Sequence, residues 1–217
     1  MGVVDLTAAL LRGLAVTVEV TLLASLVALT LAFAVGLARL SQAAPARVLA
    51  AIYVETLRGV SALVQLFCLF FILPLFGVFI SPMATAVIGL GMNFSAYGSE
   101  VVRAAVVSVD RSQWEAARAL DMPRALTMRR IILPQALPMM LPPFGNLLIE
   151  MLKTTSLVSL ITLTDLTFAG QRLIETYGRQ GLVWGLVLGL YFLAAFPLSR
   201  LVRRLERRVA AGRAGGP

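Results

Sequence analysis

Five long apolar runs separated by short polar breaks organise this chain. A hydrocarbon core takes about 20 helical residues at about 1.5 Å each, and every run is that long or nearly so. The first covers about Leu14 to Leu37, interrupted only by Glu19, and stops at Arg39 and Ser41-Gln42 ahead of Pro45. The second spans about Leu49 to Leu73, with Glu55 and Arg58 in its first turns and Pro74 closing it. A third, about Pro82 to Val107, holds Gly89, Gly91 and the polar patch Asn93 to Glu100. The fourth, about Met139 to Leu163, starts at Pro138, Pro142 and Pro143 and carries Glu150 and Lys153, and the fifth, about Leu182 to Leu198, meets an arginine-rich tail. The pattern predicts an all-α integral membrane fold of about five transmembrane helices. It places an amino end at 1–13, a membrane domain at 14–205, a polar insertion at 111–135 and a tail at 206–217.

Composition agrees with this pattern: 59% of the residues are hydrophobic and 14% charged, and mean hydropathy is +0.89. A soluble domain has roughly 45–50% apolar and 25% charged residues. Lipid accepts the apolar side chains that a small interior has no room to bury. The net charge of +8 fits cytoplasmic loops rich in arginine, and aromatics are not interleaved with the basic residues as a nucleic-acid surface requires. With the amino end outside, the inner segments hold about fourteen of the nineteen basic residues. The insertion and the tail (Arg200, Arg203, Arg204, Arg207, Arg208, Arg213) then face the cytoplasm. The amino end carries Asp5 ahead of Arg12 and does not read as a removable signal peptide. Gly185 and Gly189 have a spacing that lets two helices approach closely, which ordinary packing explains as well.

The chain has no histidine and one cysteine, Cys68, inside an apolar run. Histidine chemistry, a metal centre and an intrachain disulfide are therefore not expected, and Cys68 reads as a small buried or lipid-facing hydrophobe. No phosphate-binding G-x-x-x-x-G-K-[ST] occurs, so no cofactor is expected in this chain and any ATP with its Mg must sit on another subunit. An ion-coupled secondary transporter is the alternative. It would normally show repeated halves, which five spans without a visible repeat do not.

The insertion reads as two short helices joined by a tight corner. Ser112 is placed to cap the first, with Glu115 completing a capping box, and Ala116, Ala117, Ala119 and Leu120 are strong helix formers. Asp121 falls where the chain leaves that helix, Pro123 suits the first turn of the next, and Pro134 with Pro138 ends it. Small alanines on one side suit docking into a groove of a partner. A passive amphipathic connector has the same pattern.

Glu115-Ala116-Ala117, three residues, Asp121, nine residues, then Ile131, one residue and Leu133-Pro134 resembles the EAA loop of ABC importer permeases. Ala96-Tyr97, Glu100, Pro142-Pro143, Asn146 and Lys153 to Leu157 extend the resemblance, and Tyr53 to Leu66 is similar to the second helix of the polar amino acid uptake subgroup. It covers about residues 14 to 205 and implies a type I importer fold. It also implies that Glu115, Ala116, Ala117, Asp121, Ile131 and Pro134 couple to the ATPase. The implied partners are two ABC ATPase subunits, a second permease (a sister subunit or a second copy), an extracytoplasmic solute-binding protein, membrane lipid and a small polar solute, with no nucleic acid. The family's usual glycine is Asp121 here, and aspartate is among the residues that best tolerate a left-handed backbone.

Charges within a bilayer require a reason. Glu55 with Arg58, Glu100 with Arg103 and Glu150 with Lys153 are spaced for pairing on one helix face. For Glu150 and Lys153, beside Thr154 and Ser156, a polar cavity is the other reading. Asn93, Tyr97, Leu147, Glu150, Lys153, Thr154 and Ser156 are the candidate residues of a solute path. Leu147 and Thr154 stand where the resembled family usually carries acids suited to cationic substrates, which favours a neutral or zwitterionic solute. The stretch Leu133 to Glu150, with Leu73 to Gly77 and Ser81 to Met83, is similar to one permease of ectoine/hydroxyectoine importers.

Overall fold

The computed structural model describes residues 3–214, with side chains over residues 6–207. The side chains of Asp5, Arg208 and Arg213 and the last residues of the tail lie outside that description. Among the described residues there are only helices and the loops joining them. They are α1 (Val3–Ala38), α2 (Ala44–Gly59), α3 (Ala62–Phe67), α4 (Pro82–Val107), α5 (Arg111–Ala119), α6 (Arg124–Thr127), α7 (Leu133–Thr154), α8 (Leu166–Tyr177) and α9 (Gln180–Ala214). Helices run through both expected domain boundaries, because α1 starts well before residue 14 and α9 continues past 206.

By length and apolarity, α1, the continuous rod Arg124–Ile161 and α9 are each able to cross a membrane. The second expected run is not straight. It bends by 102° between α2 and α3, and α3 continues through a π-helical turn (Cys68–Ile72) and a 3₁₀ turn (Leu73–Phe76). The bend sits at Gly59-Val60-Ser61, where Val60 is extended. The Gln65 side-chain amide donates to Leu57 O at 2.8 Å and Val60 O at 3.4 Å, which satisfies carbonyls that a broken helix orphans. Cys68 is exposed on this isolated chain.

Helix α4 is 26 residues long, enough for about 39 Å, but it does not qualify on apolarity. The reason is its position: most of it is buried by protein, including Asn93, Ser95 and Ser99, so it needs no lipid-compatible surface. Ser95 and Ser99 return their hydroxyls to the backbone of Met92 and Ala96. Helix α1 lies along α4 at a distance only glycine allows. A Cβ on Gly98 would come 2.8 Å from Ala32 Cβ, and one on Gly36 2.8 Å from Ser99 O.

The prolines do not end the insertion helix. Pro134 occupies the first turn of α7, and Pro138, Pro142 and Pro143 lie inside it. A π-helical turn (Met128–Ile132) precedes Pro134, and it is the wider turn that accommodates a residue without an N–H. Helix α8, which the hydropathy pattern did not predict, follows α7 in the chain and packs on α1 and α9. A Cβ on Gly185 or Gly189 would meet nothing within 4 Å, so the small-residue spacing in α9 makes no close approach among the described residues.

Among the described residues three apolar clusters hold the bundle. Val20, Leu66, Leu90, Phe94 and Met151 join α1, α3, α4 and α7. Val102, Val106, Ile132 and Met140 close the end that carries the insertion. Leu10, Leu166, Val183 and Val187 fasten α8 to α1 and α9.

Candidate functional site

Two places gather the polar chemistry, and the first is the insertion. Helix α5 begins at Asp110, whose Oδ1 accepts the Ser112 N–H at 2.8 Å. The cap is therefore Asp110 and not Ser112, and Glu115 bonds Arg111 (Nε to Oε1, 3.0 Å) instead of closing a capping box. Accepting that N–H holds the Asp110 carboxyl below the usual aspartate range.

At the other end Asp121 has φ +50°. The Asp121 N–H reaches Arg118 O at 2.9 Å and the Met122 N–H reaches Ala117 O at 3.0 Å. These two bonds make a Schellman close, with aspartate in the left-handed position.

Ala117 is 1% exposed, while Leu120 is 74% exposed and Ala116 and Ala119 are also open. Ala117 thus faces into this chain, and Ala116, Ala119 and Leu120 form the free face. Trp114 and Ile131 pack on the cluster at this end. The Gln135 amide donates to Gln113 Oε1 at 3.2 Å, and exposed Pro134 lies beside it.

The second place is a cavity of ≈ 260 Å³ at the α2–α3 break, lined by Arg58, Gly59, Val60, Ser61, Asn93, Tyr97, Glu150 and Thr154. The Arg58 guanidinium lies over the Tyr97 ring, 5.4 Å from its centroid, a cation–π contact that fixes its direction. Asn93 donates to Leu57 O at 3.4 Å. The Thr154 hydroxyl donates to Glu150 O at 2.9 Å.

These elements match a known architecture. The profile of the family described as "Binding-protein-dependent transport system inner membrane component" matches residues 24–211. The chain belongs to this family of ABC importer permeases. The permease is 43% identical over 208 residues to a probable amino-acid ABC transporter permease of Sinorhizobium fredii, covering 93% of this chain and 87% of the relative. It is 35% identical over 202 residues to the glutamine transport system permease of Escherichia coli, covering 92% of each. The crystal structure of an amino acid ABC transporter with histidines superposes with a TM-score of 0.89 at 35% identity, over 94% of this chain and 96% of that one. A methionine ABC transporter structure at 20% identity and TM-score 0.72 shares the fold. Membership makes the protein an inner-membrane permease subunit of an ABC importer, working with an ATPase and a binding protein, and the ion-coupled alternative is set aside.

The permease brings together only part of the solute path expected from its sequence. Asn93, Tyr97, Glu150 and Thr154 share the small cavity. Lys153 and Ser156 instead line a separate, larger cavity of ≈ 940 Å³ with Trp184 and Tyr191, and Leu147 packs on the central apolar cluster. Neither Glu150–Lys153 nor Glu55–Arg58 is an ion pair among the described residues. Glu100 is paired, with Arg103 at 2.9 Å and also with Arg39.

The sequence reading passed over Arg58 as a member of the site, because its helix breaks where a straight one was expected. It also missed Asp165, which is fully buried and caps α8 by accepting from Phe168 N at 2.9 Å and Thr167 N at 3.1 Å. Tyr191 donates to the same carboxylate at 3.4 Å. The Leu166 N–H donates to Thr17 Oγ1 at 3.1 Å, tying this cap to α1. An aspartate directly ahead of Leu166 to Ala169 was the available signal.

Proposed function

We propose that the α2–α3 cavity is the solute station of this permease and that its solute is a small zwitterion of the amino acid class. The observation that carries this reading is one cavity, at a helix break, lined by a guanidinium held on an aromatic face and by a carboxylate. Arg58 would take the solute carboxylate, Glu150 its ammonium group, and Asn93 and Thr154 the remaining polar atoms. Discontinuous helices are the usual place for solute sites inside membranes, because unwound backbone there offers unpaired groups. Relatives of the permease are named for amino acids and glutamine, which supports the class. Ectoine and hydroxyectoine are also compact zwitterions and belong in the same panel.

The amino end lies outside and the insertion inside, where the free face of α5 (Ala116, Ala119, Leu120) seats in a groove of the ATPase and Glu115 rims the contact. Asp121 holds the corner, Ile131 anchors it from beneath, and Pro134 lies beside the seat. A second permease, a sister or a second copy, brings a second coupling helix for a pair of ATPases, which bind ATP and Mg. Closure of the ATPase pair moves both coupling helices together, and the cavity opens alternately to the binding protein and to the cytoplasm. Reconstitution with the ATPase and binding protein tests this. ATP hydrolysis should rise with one class of zwitterion, and Arg58→Gln should shift that rise to solute concentrations about tenfold or more higher while leaving basal hydrolysis. A response restricted to cationic solutes, or no change in Arg58→Gln, would reject the assignment.

A further inference from the structure

A different part of the molecule carries charge that neither the coupling corner nor the cavity uses. On α9, Phe196, Arg200, Arg203, Arg204 and Arg207 fall on one face at helical spacing. They line a groove of ≈ 490 Å³. The Arg200 guanidinium lies 4.6 Å from the centroid of the Phe196 ring, and Arg203 Nε donates to Ser199 O at 3.3 Å. All four arginines are exposed, and among the described residues none is in an ion pair. The one acid on this stretch, Glu206, is not part of the groove and sits about 100° round the helix from its centre.

We propose that this ridge is a seat for the phosphate headgroup of an anionic phospholipid in the leaflet on the coupling-helix side. Depth argues for lipid. A Cβ on Gly145 of α7 would lie 2.5 Å from Val202, so those residues are at one level. Gln135, which holds Gln113 of the insertion, is ten residues nearer the start of α7, about 15 Å away along the helix. Arg200, Arg203 and Arg204 lie within about 3 Å of the Val202 level. The ridge is therefore on the membrane side of the insertion. It begins two residues after the apolar run ends at Leu198, and it extends about 10 Å, enough to span a headgroup layer of about 5–7.5 Å. An acidic patch of an ATPase gripping α5 would lie farther out. Each arginine near an anionic surface raises affinity roughly fivefold, and four acting on one groove favour an anionic over a zwitterionic lipid.

The test uses the full-length permease in neutral detergent, titrated with phosphatidylglycerol and with phosphatidylcholine and read by native mass spectrometry. The wild type is expected to prefer phosphatidylglycerol, and the fourfold variant R200Q/R203Q/R204Q/R207Q to lose at least about tenfold of that preference. The matching lysine variant should keep it within about threefold, since a point charge still attracts phosphate. A control of equal charge change, R47Q/R124Q/R129Q/R130Q, should keep it fully. Equal loss in the control would reduce the effect to bulk charge and overturn the proposal, as would retention in the fourfold variant. Displacement of the lipid by millimolar inorganic phosphate would mean a free-anion site and also overturn it. If the fourfold variant keeps its lipid preference but releases a co-expressed ATPase, the ridge is a protein contact and the proposal falls. Should that variant not fold, photoactivatable phosphatidylglycerol on the wild type decides: adducts on residues 200–207 support the seat, and adducts only elsewhere refute it.

Discussion

The coupling corner and the solute cavity are built in opposite ways. The corner is local: Asp110 to Pro134 contains its own cap, its Schellman close and most of its anchors. The cavity is assembled from α2, α4 and α7, whose contributing residues Arg58, Asn93 and Glu150 are far apart in sequence. A local device tolerates exchange on its free face and fails when its anchor is changed. A device assembled at long range fails in function before it fails in folding.

The sharpest way to break this contrast is a tryptophan at each of two adjacent alanines. Ala117→Trp places a large ring in a filled site and should cost several kcal/mol, beyond the usual range of about 1–3 for overpacking; yield of monodisperse permease measures it. Ala116→Trp should leave yield unchanged and lower coupled uptake at least about tenfold by blocking the free face. Equal yields for the two variants would contradict the burial of Ala117.

At the cavity, Arg58→Gln and Glu150→Gln should each raise the KM for uptake about tenfold or more, the size expected for losing a hydrogen bond to a charged group. Thermal stability should change little. A large drop in Tm with unchanged KM would reassign both residues to structure. Lys153→Gln, in the neighbouring cavity, should alter KM far less.

Smaller effects sharpen the corner itself. Asp121→Gly should be neutral or slightly stabilising, whereas Asp121→Val should cost about 1–2 kcal/mol because its β-branched apolar side chain opposes a left-handed backbone that a short polar one tolerates, as melting of the purified permease would report. The smallest effect is that of pH on Asp110. Its folded carboxyl titrates below the unfolded one, so its support for α5 is complete above the ordinary aspartate range and is lost as pH falls through the lowered folded value. Hydrogen exchange of α5 should follow that direction, and Asp110→Asn, which still caps, should remove the dependence.

The same contrast explains what could be read without coordinates. The order of the apolar runs, the insertion and the left-handed tolerance at Asp121 were legible because each rests on residues within one turn or one run. The cap assignment slipped by two residues, from Asp110 to Ser112, since both are good caps and only the hydrogen bond decides. The cavity was half legible: Asn93, Tyr97, Glu150 and Thr154 stood out as polar residues in apolar surroundings. Arg58 stood out only as a partner for Glu55 and Ser61 not at all, because a helix break satisfied by Gln65, with Asn93 sharing Leu57 O, has no local sequence signature. Helix α8 and buried Asp165 were invisible to a hydropathy count tuned to longer spans.

The tight seam between α1 and α4 has a mechanical consequence. With Gly98 against Ala32 and Gly36 against Ser99, the two helices have no slack to slide, so any tilt of one carries the other as a single stiff lever. Spin labels on this pair should keep one separation through the whole cycle, while labels bridging the lever and the bent α2–α3 arm should report two.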